Sequence, residues 1–423
     1  MDSRIQEFVD FTRTKLGLDD YYLERHSFYQ NVNIFNETEY VLCMEWFPNH
    51  VTQQEDDDSN PEGTAVVEIN IHSRKIKSII FVMGKTYVKD GISFTSQGKN
   101  QVIRWIEEET GLAYEKQFQF HKEEEGELTF KEYYEGIEVS PSGMIVVKFN
   151  HEGKLTMFAN QGQFPSREKV REEKYTLSFR KVENIAKKQL QLVEFPTYEQ
   201  KKLVFIFAIE EIYITNEGTS TIPFEWIVDV RSYTTMEKTL YWEEPMSQPF
   251  NKKEIIWIEE IQPEQAFLLE PSPDSFPITE LEQDKCEIVV KDLLRQEYPN
   301  DTGKWKLKTL HRDKGYIHAT LRRNHKDHRL FQRKIKILID AKSLKAINYI
   351  DNQLMIEIFE QFQTSEQAII TIDEAYEKIK GLLQLKPYYV YDFDHKQYIL
   401  CGKLDCQYGI HAENGRVINL DDL

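Results

Sequence analysis

One fragment of a catalytic metal motif stands in the sequence, His151-Glu152-Gly153-Lys154-Leu155. A zinc peptidase helix carries His-Glu-x-x-His, which sets two ligands one turn apart with a general base between them. Here the fifth residue is Leu155 and the fragment falls in a predicted turn, so it is read as a turn and not as a metal site. A second group is His318, His325 and His328, with His311 nearby. His325 and His328 are spaced to chelate, but Arg322, Arg323, Lys326 and Arg329 beside them repel a cation, and no cysteine or paired carboxylate joins them. A solvated loop is the reading. Cys43, Cys286, Cys401 and Cys406 are too few for a disulfide framework in 423 residues. The odd separation of Cys401 and Cys406 places them on opposite faces of a strand, so all four are expected as reduced thiols in or near cores. There is no Gly-x-Gly-x-x-Gly, no phosphate-binding Gly-rich loop and no Gly-x-Ser-x-Gly elbow, and the 71 acidic residues single out no catalytic pair. The expectation is a protein that is not an enzyme, with no catalytic, cofactor-binding or metal-ligating residue and no cofactor.

Charge narrows the partners. The net charge is −18, which repels phosphate backbones, so no nucleic acid is expected. The one basic segment, residues 322–334 with Phe331 in it, reads as a charged strand or hairpin whose Lys and Arg guard a sheet edge. The blocks Glu107-Glu108-Glu109 and Glu123-Glu124-Glu125 read as wet helix and loop surface. No run approaches the roughly 18 apolar residues of a membrane helix. The N-terminus, Met1-Asp2-Ser3-Arg4-Ile5-Gln6-Glu7-Phe8, lacks a signal peptide's apolar stretch. A cytoplasmic protein that contacts no membrane is expected, with a protein or peptide partner.

The elements that would position any site repeat along the chain. An alternating strand ends in a polar turn and a second strand returns: residues 66–76, 145–155, a weaker copy at 226–233, then 335–347 and 408–418. Val147 and Phe149 alternate with Lys148 and Asn150, the period-2 pattern that buries one face. Asn, Asp and Gly at the turns are expected to take positive φ and bond their own backbone. Lys75, Lys154, Lys345 and Arg416 re-enter the second strands. Amphipathic helices are expected at 5–16, 101–109, 176–190 (N-cap Ser178), 281–297 and 371–383, where Thr371 and Glu374 form a capping box. In the fourth copy Ile335, Ile337 and Ile339 face the core beneath the 281–297 helix. Leu338, on the opposite face, implies that this face is partly covered too.

Residues 263–277 hold Pro271-Ser272-Pro273 and read as a Pro-rich linker dividing two lobes. The acidic run from Glu55 to Pro61 reads as a loop, and residues 251–260 as a strand closing the larger lobe. The units are 1–90, 91–170, 171–262, 278–355 and 356–423.

Ile372-Asp373-Glu374-Ala375, and the turn Ile339-Asp340-Ala341-Lys342, resemble the helix start and hairpin turn of the PepSY domain. The stretch from Glu132 to Val139, followed by Val146-Val147-Lys148-Phe149-Asn150, resembles propeptides of thermolysin-type peptidases, which marks 91–170 as propeptide-like and 171–262 and 356–423 as PepSY-like. The whole chain resembles the bacterial YcdB/YcdC repeated-domain family. The resemblance implies an α+β fold, tandem repeats of a helix packed on a small antiparallel β-sheet, PepSY-like or cystatin-like. It also implies a non-enzymatic binding or scaffold role, or alternatively a modulator or inhibitor of an intracellular peptidase.

Overall fold

The computed structural model describes residues 1–51, 59–95, 98–223, 232–257, 260–324, 330–364 and 368–423. Most of the third expected hairpin, His325, His328 and most of the acidic loop therefore lie outside the described residues. The described chain is α+β, with seven α-helices and mostly antiparallel strands. It separates into two compact units. Unit 1 comprises residues 1–172, 259–275 and 388–399, and unit 2 the remainder.

In unit 1 the strands run Tyr21–Val32, Thr38–Pro48, Ala65–Asn70, Ile76–Phe81, Leu155–Gln161, Met144–Phe149 and Glu127–Tyr134 across one sheet. Phe118–Glu124 is added beside Glu127–Tyr134. Alternation decides which face is buried: Ala65, Val67 and Ile69 point inward while Val66, Glu68 and Asn70 are half-wet. Two helices cover that face. In Ser3–Leu16 the side chains of Ile5, Phe8, Val9, Thr12 and Leu16 are buried at helical spacing, and Asp2 caps the start by accepting from the Arg4 N–H at 2.8 Å. In Lys99–Thr110 Val102, Ile103 and Ile106 are buried, and Gly111, at φ 74°, closes the helix in the left-handed conformation glycine tolerates.

Unit 2 holds two cores. Val182 and Ala186 of helix Phe179–Gln189 and Ala375, Tyr376 and Ile379 of helix Ile372–Ile379 pack with Phe207, Ile209 and Ile410. The second core lies between helix Glu280–Glu297 and a five-stranded antiparallel sheet, Thr234–Thr239, Trp305–Asp313, Tyr316–Arg323, Lys334–Asp340 and Ala346–Asp351. Val290, Leu293 and Leu294 of the helix meet Ile335, Ile337 and Ile339 there. The expected capping box at Thr371 and Glu374 forms, and a second joins Thr279 to Glu282. Ser178 occupies an N-cap position without a side-chain capping bond.

Four of the expected hairpins are antiparallel pairs: Ala65–Asn70 with Ile76–Phe81, Met144–Phe149 with Leu155–Gln161, Lys334–Asp340 with Ala346–Asp351, and Tyr408–His411 with Val417–Asn419. Their turns share a construction. The N–H groups of Asn70, Asn150, Asp340 and His411 donate to the carbonyls of Lys75, Lys154, Lys345 and Arg416. The residue before each basic residue has positive φ: Arg74 at 55°, Gly153 at 78°, Leu344 at 51° and Gly415 at 67°. The expectation that Asn, Asp or Gly takes this position fails at Arg74 and Leu344. There Asn70 and Asp340 act from four residues earlier, their Oδ1 atoms accepting from the N–H groups of His72 and Ser73 and of Ser343. That side-chain anchor fixes the turn, so a non-glycine residue is forced left-handed.

Two expectations are corrected. Residues 263–277 are not a bare linker. Pro263–Leu268 is a helix whose Ala266 is fully buried in unit 1's core, and Tyr40 and Thr38 bond the backbone at Glu270 and Ser272. Proline at the first helical position is compatible with a helix start, so the composition was punctuation at one end only. Residues 251–257 form no strand. They run beside the edge strand Ala346–Asp351, where the Lys253 N–H donates to the Ile347 carbonyl, and reach the back face at their end, where Trp257 sits 6.1 Å from Tyr316 and 6.5 Å from His318. That covering is why Leu338, on the face opposite Ile337, is fully buried.

Candidate functional site

Unit 1 carries a broad open cleft of about 1320 Å³ between helix Lys99–Thr110 and two hairpin turns. The helix offers Gln101, Arg104, Trp105 and Glu108, spaced 3, 4 and 7 residues apart and so on one face. The turns supply Glu125 and Gly126, and Asn150 to Gly153. The floor is aromatic: Phe94 lies 5.7 Å from Trp105 and 5.9 Å from Phe149, both tilted or edge-on. The His-Glu fragment ends up here, with His151 and Glu152 on the cleft wall in the turn the sequence predicted. Glu152 is drawn to Lys154 at 3.4 Å. No group of three or more His, Cys, Asp or Glu side chains among the described residues is arranged to hold a metal ion.

The second chemically charged place in unit 1 is Glu132, only 1% exposed. Leu128, Phe130, Glu132 and Tyr134 share one strand parity and all four side chains are buried. Glu132 therefore points into the protein with the apolar residues. Its Oε2 accepts from the Gly143 N–H, while Oε1 makes no hydrogen bond among the described residues. A β-carbon at Gly143 would lie 2.6 Å from Oε2, so the carboxyl fits because that residue is glycine. Burial pushes the Glu132 carboxyl up to about 8 against the weaker pull of the Gly143 N–H. The buried Tyr398 hydroxyl is raised by burial first and by the Glu132 charge second. The acid is held neutral at pH 7, a structural acid within the sheet and away from the cleft lining.

In unit 2 the two described histidines of the expected cluster behave otherwise than expected. His311 and His318 sit opposite each other across the Trp305–Asp313 and Tyr316–Arg323 hairpin, 3% and 4% exposed, with rings stacked at 4.7 Å. Tyr233 packs on His311 and Trp257 on His318. They line a covered sheet face, not a solvated loop. The basic segment, of which 325–329 lie outside the described residues, joins two antiparallel strands, so the hairpin reading stands and only the guarding of a sheet edge is corrected. Tyr316–Arg323 and Lys334–Asp340 are interior strands of their sheet, not edges. Arg323 meets Asp301 at 3.2 Å, Arg333 pairs with Asp351, and both guanidinium groups lie over the Trp305 ring. These cations are bound up in ion pairs. The acidic block at 107–109 is only partly wet. Glu109 is 9% exposed and pairs with Lys15 at 2.7 Å, and Glu107 accepts from the Tyr114 N–H.

All four cysteines are free thiols, three of them buried. Burial pushes Cys43 up to about 12 and Cys286 up to about 11, so neither is a thiolate nucleophile at neutral pH.

Sequence reasoning missed Glu132, the histidine stack and the cleft. Signals for the first two were present. Glu132 has the parity of Leu128 and Phe130, and His311 and His318 are equidistant from the turn Lys314-Gly315. The cleft had none, because it joins residues near 91, 104, 125 and 151.

No protein-family profile matches the chain, and no curated protein sequence matches it. Among solved structures the chain is similar to the Bacillus megaterium YpeB C-terminal domain, at 8% identity and a TM-score of 0.25, over 82% of this chain and 96% of that one. No helix among the described residues is long and apolar enough to cross a membrane.

Proposed function

We propose that this chain is a non-enzymatic binding or scaffold protein for a protein or peptide partner, built from tandem PepSY-like units of the YcdB/YcdC kind. The observation that carries the reading is the hairpin turn built alike at Asn70, Asn150, Asp340 and His411, each followed by a left-handed residue and a basic one. A single such turn is ordinary. Four alike, spread from residue 70 to residue 416, support repeated units. The cleft's aromatic floor and carboxylate rim, with one arginine and one histidine, suit contact with a polypeptide. Affinity capture from a cytosolic extract, followed by calorimetry of the purified pair, tests the proposal. Saturable binding of an unmodified partner is expected. Turnover of the captured molecule overturns it. Capture of a peptidase whose activity falls on addition of this chain selects the alternative reading, a peptidase modulator that presents a strand or turn to an active cleft.

A further inference from the structure

Resting on that binding reading, we infer that the outer edge of strand Phe118–Glu124 takes an extended, Lys- and Arg-bearing segment of a partner polypeptide as an added strand. Its cations meet Glu123 on the strand itself and Glu108 and Glu125 at the rim of the adjoining cleft. Three features place the segment there. The strand pairs on one side with Glu127–Tyr134, and on the other, among the described residues, it has a single bridge at its first residue, Tyr114 to Phe118. The strand is bulged at His121, between Phe120 and Lys122, so the regular outer backbone groups beyond it, from Lys122 to Glu124, are the template for a further strand. The strand then runs into Glu125-Gly126, both with positive φ at 44° and 79°, which form the cleft wall.

The second feature is charge. Glu108, Glu123 and Glu125 are exposed and make no ion pair among the described residues. Their neighbours Glu124, Glu127 and Glu152 already hold Lys122, Lys148 and Lys154. The remaining cation of the lining, Arg104, turns its Nε to the Asn100 carbonyl. The three carboxylates thus outnumber the one cation of the described lining, Arg104, whose charge the Asn100 carbonyl leaves in place. The third feature is the half-buried Trp105 ring on the floor, a face over which a Lys or Arg head group is favoured. A second copy of this chain is excluded by the same charges, since two such acidic edges repel when paired.

The test is fluorescence anisotropy of a labelled ten-residue peptide alternating Lys and Val, titrated with the full chain at low salt. Comparison peptides carry Glu for Lys, or N-methyl groups on the odd or on the even residues. Binding of the Lys peptide and none of the Glu peptide is expected. The variant Glu108→Gln/Glu123→Gln/Glu125→Gln, at exposed positions, should weaken binding about tenfold with an unchanged melting curve. One N-methylation phase should abolish binding and the other leave it, because alternate N–H groups of an added strand face its neighbour. Equal binding by the triple variant, tolerance of both methylation phases, or no binding of the Lys peptide overturns the inference. A partner captured from extract that binds wild type and triple variant equally also refutes this edge, while leaving the general binding reading standing.

Discussion

Glu132→Gln isolates the buried acid. In the unfolded chain the carboxyl titrates near 4.5; in the fold it titrates near 8. The folded state therefore holds the proton more tightly. By linkage its contribution is fully present below about pH 4.5, is lost as pH rises, and is exhausted above about pH 8. The slope through that window is about 1.4 kcal/mol per pH unit, so the whole effect is on the order of a few kcal/mol. Glutamine keeps the shape and an oxygen for the Gly143 N–H, and it cannot ionise. Denaturant midpoints of both proteins at several pH values from 5 to 9 supply the assay, with unit 1's transition as the readout. The two should be within about 1 kcal/mol at pH 5, and the variant should be the more stable by a few kcal/mol near pH 8. Parallel profiles across that range would show that Glu132 is ionised in the fold, and the account of its burial would fail.

Ile339→Ala and Leu338→Ala should each cost about 2–5 kcal/mol, because both faces of that strand are buried. Lys336→Ala should change stability by less than about 0.5 kcal/mol, and the ordering of the three denaturant midpoints checks the register. Lys396, exposed with φ at 54°, should be improved by Lys396→Gly by roughly 0.5–1 kcal/mol in a melting experiment, since glycine removes the left-handed penalty. Limited proteolysis should spare residues 263–272 despite their prolines, because the helix there is packed and its tail is bonded to Tyr40 and Thr38; early cleavage at that segment would contradict the packing.

Local signals determined much of this protein. Period-2 alternation around Asn150 and Asp340, the Thr371 and Glu374 capping box and the apolar spacing in 5–16 were legible because each depends on a few neighbouring residues. Helix Gln353–Glu360 escaped notice, as did Pro263–Leu268, since both are short and one begins at a proline. What only tertiary structure decided is long-range. Burial of Leu338 required His318 beside it on the neighbouring strand and Trp257 packed on that histidine. The ends of the basic segment came to lie in interior strands when Lys334–Asp340 paired beside Tyr316–Arg323, and Arg333 found Asp351. The cleft needed a helix and two distant turns to meet, and Glu132 needed Gly143 opposite it. Such partners are set by which strands pair and which faces are covered. Composition along the chain does not encode that locally, because a lysine, a glutamate or a histidine is tolerated on any face until packing decides whether water reaches it.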